Sequence, residues 1–323
     1  MASLLERKLI VVTGKGGAGK TTVASALGLL AARRGLRTIV VELGDQHRLP
    51  ALFDHSRPPQ SGAEIELEAN LWGTSIDPDR ALLEWLRTVG GRISVRMLAA
   101  SSTFHYFAAA APGAKELVSM IKVLELCESE RQGKDRESYD LVVLDAPATG
   151  HALAMLRSPQ TFAAIVKVGP LAERARDVRR LLGDPLRTAF LAVAQGTEMA
   201  ITETLELEEG LRRDLDRDLD AVVVNSTVPR RFTREELRRI SIATGDGALA
   251  ELNRGAPLVQ AAVCMAHTAY ERSRVQQSQI ARLRRQRFAR GSPPSVLTVP
   301  LAFKAKLDLS AVRTIAEQIQ RKL

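Results

Sequence analysis

Apolar positions fall into short unbroken runs, separated by longer segments with helical spacing. Residues 8–13 (KLIVVT) are a β-branched run that leads into a glycine-rich stretch, and residues 37–43 (RTIVVEL) are a second. Between them Val23, Leu27, Leu30 and Ala31 recur at helical spacing from about Lys20, and Gly35 supplies a stop. Strand, helix, strand predicts a βαβ unit and hence a parallel sheet. The alternation continues, with strands expected over 71–76, 140–144, 189–194, 221–225 and 296–299. Helices are expected over 80–98, 115–131 and 308–320. Because the strand runs are continuous rather than alternating, both sheet faces should be covered. The fold class this predicts is α/β, with a mostly parallel, doubly wound sheet and helices on both faces. Residues 1–323 read as one domain, with helix-rich insertions at about 80–135 and 155–187 gathered at one end of the sheet.

Composition narrows the environment. The 323 residues are 45% hydrophobic, enough for a sizeable core and against global disorder. Only two cysteines occur, Cys127 and Cys264, far apart, which argues against a disulfide framework or a CxxC metal site. Residues 1–8 are too short and charged to precede a secretory segment. Residues 97–114 carry no Asp, Glu, Lys or Arg, but His105, Pro112 and Gly113 make them a poor spanning helix. A cytoplasmic location is the expectation. The formal charge of +9 comes largely from scattered arginine pairs, with a denser cluster at Arg282, Arg284, Arg285, Arg287 and Arg290. Phe288 is the single aromatic there, so base stacking has no platform and nucleic acid is disfavoured. Contact with an anionic membrane surface stays open.

The candidate chemistry lies in Gly14-Lys15-Gly16-Gly17-Ala18-Gly19-Lys20-Thr21-Thr22, between the first strand and first helix. Glycines let backbone N–H groups approach phosphates, whose charge is also met by the helix N-terminus. Lys20 is expected to reach the β- and γ-phosphates of ATP, and Thr21 to ligate Mg²⁺. Gly14, Gly16 and Gly19 also satisfy a dinucleotide fingerprint, with Glu42 at about the distance of a ribose-binding acid. Lys20-Thr21 favours the Mg-nucleotide reading, as does Asp145 at the end of an apolar strand, where a magnesium-binding acid belongs.

The segment Asp145-Ala146-Pro147-Ala148-Thr149-Gly150-His151, together with GKGGAGKTT, resembles the ArsA family. That family includes the arsenite-pump ATPase and the ATPase that targets tail-anchored proteins. Leu71-Trp72, Ile76-Asp77-Pro78, Pro112-Gly113 and Glu116 extend the likeness along the chain. The resemblance implies that Asp145 binds Mg²⁺ through water and that Thr149-Gly150-His151 moves with the γ-phosphate. It implies that Asn225 reads the adenine and that the backbone around Pro300 closes over the base. Lys15 resembles the signature lysine of deviant P-loops, which reaches a partner's phosphates across a dimer, so a second subunit is implied, identical or paralogous. The expected activity is ATP hydrolysis coupled to a protein or apolar client. The alternatives are a MinD-like ATPase at a membrane surface and an energy-coupling subunit of an anion transporter.

Three departures qualify that picture. Where the family's first switch carries an aspartate for the attacking water, this chain has Gly44; either Asp45 one place later, the first choice, or Glu42 takes that role, or hydrolysis is slow. The zinc-binding CxxC and the metalloid-binding cysteines of the family are missing from the sequence. The segment 158–186 is short and charged for a client-binding insertion.

Overall fold

The computed structural model describes residues 4–44, 48–55, 62–85, 113–128, 138–165, 169–245, 257–286, 295–304 and 307–322. Eight strands among them form one sheet: β1 (Leu9–Gly14), β2 (Thr38–Leu43), β3 (Ile65–Glu68), β4 (Leu71–Ile76), β5 (Leu141–Ala148), β6 (Thr188–Gln195), β7 (Ala221–Thr227) and β8 (Ser295–Pro300). Their order is β3-β4-β2-β5-β1-β6-β7-β8. Every pair is parallel except β3–β4. The chain therefore starts in the middle, winds outward to one side, returns beside β1 with β5, and then winds to the other side. Crevices at the carboxyl ends of the strands, where the winding reverses next to β1, are where such sheets bind ligands.

The apolar runs divide between two cores. Leu9 and Val11 of β1, Val142 and Leu144 of β5, and Phe190 and Ala192 of β6 face one layer of helices. That layer is α3 (Ala114–Cys127), α4 (Thr149–Ile165), α5 (Pro170–Gly183) and α6 (Glu198–Leu215). Ile10, Val12, Val143, Leu191 and Val193 face the other layer. It is built from α1 (Lys20–Arg33) and α9 (Leu309–Gln320), with α2 (Arg48–Leu52) contributing Leu49 and Leu52. Alternate residues of one strand thus serve opposite cores, which is why these runs contain so few polar breaks. The remaining helices are α7 (Arg234–Gly245) and the 29-residue α8 (Pro257–Arg285).

The observed strands match the predicted ones to within a few residues at their ends. The short antiparallel β3, sequence IELE, is an addition to the predicted set; Asn70 at positive φ (62°) turns the chain from β3 into β4. The helix expected over 115–131 runs Ala114–Cys127, and that expected over 80–98 is seen at 78–85 before the described residues stop. In the two stretches predicted to gather at one end of the sheet, α3, α4 and α5 instead lie along a sheet face, because Leu117, Val118, Ala175 and Val178 share the core of β1 and β5. The apolar stretch over 97–114 lies outside the described residues except for its last two positions.

Helix α1 is the part of this packing that sets the phosphate loop. Val23, Leu27 and Leu30 are buried to within 1% of full burial, and Gly28 lets the helix approach Val40 and Leu71 closely. Leu27→Ala is expected to lower the unfolding free energy by about 2–5 kcal/mol. A urea titration should show this as a lower midpoint at unchanged slope.

Candidate active site

The glycine-rich loop is shaped by the strand it leaves. A Cβ on Gly14 (φ 134°) would stand 2.1 Å from the Val193 carbonyl oxygen on β6, so only glycine passes there. Gly19 (φ 91°) precedes α1 and lies against Asn225, whose Nδ2 would be 2.4 Å from an added Cβ. Helix α1 has no side-chain N-cap and no acid in its first turn. Its free N–H groups and the positive end of its dipole are left for an anion from outside the chain.

Lys20 stands at the first position of that helix, half buried, with Nζ donating to the Lys15 carbonyl at 3.4 Å. Burial lowers its pKa, partly offset by the negative charge of Asp145. Asp145, 7% exposed, lies in the buried part of β5, level with Val12 on β1 and Glu42 on β2. Its Oδ2 accepts a 2.5 Å hydrogen bond from the Thr21 hydroxyl, and its Oδ1 is buried without a protein partner. Burial pushes the carboxyl up to about 6; the Thr21 bond opposes this, and the neighbouring Glu42 charge adds to it. One hydroxyl and one carboxylate with an unsatisfied oxygen, beside a lysine and a helix N-terminus, fit a magnesium ion that takes its other oxygens from phosphates and water.

Glu42 has a different occupation. Its two oxygens accept from the backbone N–H groups of Arg48 (3.0 Å) and Leu49 (3.3 Å), so it caps α2 and is 4% exposed. A ribose-binding role for this acid is therefore not supported. Gly44 leaves β2 at φ 96° and donates to the Ile76 carbonyl at 2.9 Å. Asp45 lies outside the described residues. On the other side of the loop's exit, β5 runs directly into α4, so Thr149, Gly150 and His151 form a helical first turn. The Pro147 carbonyl accepts from the Thr13 hydroxyl at 3.0 Å. Leu43, Gly44, Pro147 and His151 line a cavity of about 380 Å³ against Lys115 and Glu116 of α3, so the ends of β2 and β5 share a wall.

On the other side of the loop, Asn225 Nδ2 donates to the Ala18 carbonyl at 2.8 Å and its Oδ1 accepts from Ser226 N at 2.8 Å. Pro300 is exposed at the end of β8, level with Thr227. Lys15 forms an ion pair with Glu203 of α6, its ammonium 3.0 Å from the Met199 sulfur. Sequence reading missed Glu203 and Met199, because a solvated helix residue 188 positions away carries no local signal.

A central phosphate loop at the end of β1, flanked by a buried aspartate on β5, defines a P-loop ATPase. A family model described as anion-transporting ATPase (ArsA) matches residues 7–170, half of the chain, and the chain belongs to that family. It is similar to ATPase BagA of Mycobacterium tuberculosis, 28% identical over 240 residues that cover 72% of this chain and 68% of the relative. It is also similar to ATPase GET3C of Arabidopsis thaliana, 26% identical over 280 residues covering 71% and 69%. A putative arsenical pump-driving ATPase of Halobacterium salinarum is 26% identical over 240 residues, 70% of this chain and 36% of the relative. Among the described residues no helix is long and apolar enough to cross a membrane.

The Asp145 environment has a consequence for stability. The unfolded-state pKa is near 3.9, and the folded-state value is raised to about 6. The native state therefore holds its proton longer, and stability is lost as pH rises from about 4 through about 6. Asp145→Asn should stabilise the nucleotide-free protein above that window, by an amount on the order of 3 kcal/mol, and have little effect at pH 3.5. Urea midpoints of both proteins at the two pH values test this; equal differences at both would refute it.

Proposed function

We propose that this ATPase uses Mg-ATP as a nucleotide-driven dimer switch, coupling hydrolysis to the binding and release of a protein or apolar client. The reading rests on the Thr21–Asp145 contact with its unsatisfied buried carboxylate oxygen, next to the half-buried Lys20. Lys20 bonds the β- and γ-phosphate oxygens, while Gly14 to Thr22 supply N–H donors around them. Thr21 and, through water, Asp145 would hold a magnesium ion, which would supply neutralisation of the phosphate charge. The chemistry is phosphoryl transfer to water, promoted by positioning and charge rather than by a covalent intermediate. Asp45 is the acid assigned to the attacking water.

Within one chain Lys15 rests on Glu203, and both side chains keep about a third of their exposure (32% and 31%). A role across the dimer requires Lys15 to leave that contact for the partner's phosphates. An ion pair this open to solvent contributes only about 0.2–1 kcal/mol, so a phosphate can displace it readily. The layer of α3 to α6 lies beside the cavity shared by the ends of β2 and β5, which supports a client site there that responds to nucleotide. With only Cys127, buried in α3, and Cys264, exposed on α8, the chain offers no paired thiols for a metalloid.

Lys20→Ala should reduce ATP turnover by about 100- to 1,000-fold, measured as phosphate release; unchanged turnover removes Lys20 from the site. Light scattering should find dimer with Mg-ATP and monomer with ADP or no nucleotide. Lys15→Ala should stay monomeric throughout. Glu203→Gln should form the dimer at about 2- to 5-fold lower ATP, as release of a partly exposed pair predicts.

A further inference from the structure

Thr13 immediately precedes Gly14, the first residue of the phosphate loop, and is fully buried. Leu9 and Val11, on the same alternation along β1, face the layer of α3 to α6, so an apolar residue would satisfy packing at position 13. A hydroxyl taken from water there needs a partner. It has one, for Thr13 Oγ1 donates to the Pro147 carbonyl at 3.0 Å.

The need for that donor comes from β5. As far as Asp145 the two strands run in step, Val11 opposite Leu144 and Val12 opposite Asp145. The next pair is Gly14 opposite Ala148, so β5 takes one residue more than β1 for the same advance. Such a bulge interrupts the ladder and bends the strand that carries the extra residue. Pro147 falls inside it, and proline has no N–H to offer a neighbouring strand. On its other side β1 stays in regular register with β6, Thr13 lying opposite Ala192. The end of β5 is therefore pinned to β1 by a side chain where the backbone ladder lapses.

Asp145 lies two residues before the pinned carbonyl, and Thr149, the first residue of α4, lies two after it. Thr13 is bonded directly to the phosphate loop at its entry, and Thr21 stands at the loop's exit, where its hydroxyl meets Asp145 at 2.5 Å. Two hydroxyls, one at each end of the loop, thus hold the same short stretch of β5. We propose that Thr13 is a positioning residue for ATP hydrolysis, its hydroxyl holding the bulged end of β5, and with it Asp145 and Thr149, in place against the phosphate loop; this rests on the Mg-ATP reading of that loop. The N–H groups and Lys20 that bind phosphate do not depend on this bond, whereas a misplacement of about 1 Å at the reacting groups can cost about 100-fold in rate.

Three substitutions separate the hydroxyl from the volume of the side chain. Thr13→Val keeps the shape and removes the donor, Thr13→Ser keeps the donor and loses a methyl, and Thr13→Ala loses both. Thr13→Val should lower kcat about 10- to 100-fold while its calorimetric Kd for Mg-ATP stays within about 2-fold of the unmodified protein. Amide hydrogen exchange over residues 148–151 should become about 5-fold faster, as loss of one hydrogen bond predicts. Thr13→Ser should return both rate and exchange to within about 3-fold of the unmodified protein. Unchanged kcat in Thr13→Val overturns the proposal, and so does a Thr13→Ser variant as slow as Thr13→Ala. If the urea transition shows that Thr13→Val does not fold, the Ser and Ala variants carry the comparison, since both lack the methyl and only Ser keeps the hydroxyl. Lys20→Ala separates this from the parent reading. If that variant keeps Mg-ATP binding and turnover, the phosphate site itself fails; if it loses them while Thr13→Val turns over at the unmodified rate, the site stands and the role of Thr13 falls.

Discussion

A carbonyl oxygen of β6 lies where the side chain of residue 14 would begin. The 2.1 Å separation between Val193 O and an added Cβ at Gly14 follows from β1 being hydrogen-bonded on both sides, to β5 and to β6. A strand so enclosed can leave the sheet only over its carboxyl edge, and the loop must then turn within a few residues to start α1 on the sheet face. Gly17 and Gly19, both at positive φ, make that turn. The same edge carries Asp145 from β5 and Asn225 from β7, so register alone brings a carboxylate to one flank of the loop and an amide to the other.

Placing charge at this edge has a cost. Lys20 and Asp145 are both taken from water, and each has its pKa moved toward the neutral form by burial. Two acids level on neighbouring strands, Glu42 and Asp145, resolve this differently. Glu42 receives two backbone N–H bonds from α2 and becomes structural. Asp145 receives one hydroxyl and keeps an oxygen without a partner. The contrast arises from the chain beyond each strand: β2 leads to a helix whose N-terminus folds back onto Glu42, whereas β5 continues past Asp145 to Ala148 and directly into α4. An unsatisfied buried oxygen is unfavourable in the isolated chain and favourable once a cation is present.

Local patterns carried much of this arrangement. The strand runs were legible because both sheet faces are buried, so each run is nearly uninterrupted; the phosphate loop was legible because its glycines, lysine and threonine are contiguous. Asp145 could be singled out because an apolar strand ends in an acid. The hidden features depend on pairing across long separations. Nothing near Glu203 marks it as the partner of Lys15, and the four-residue β3 is too short to stand out from its surroundings. The placement of α3 to α5 along a face rather than at an end was also hidden. Spacing along a helix shows that one side is apolar and not which surface covers it. Phe303 shows the converse case, an apolar residue whose exposure only the structure reveals.

The junction between β5 and α4 joins the end of a central strand directly to the helical layer. Because the helix begins at Thr149 without an intervening loop, no flexible segment separates the end of the strand from the helical layer. Thr13 holds the Pro147 carbonyl, so β1 and the last residues of β5 are linked at their exit. Ala152, Met155, Leu156 and Phe162 of α4 are packed into the same core as Leu117 of α3 and Val178 of α5. Dense packing of this kind resists gradual deformation and favours small rigid shifts between discrete arrangements. A displacement of Thr149 toward a terminal phosphate would therefore move α4 as a body. The space it can gain or lose is the cavity between His151 and Lys115, where side chains of the core leave the first turns of α4 and α3 apart.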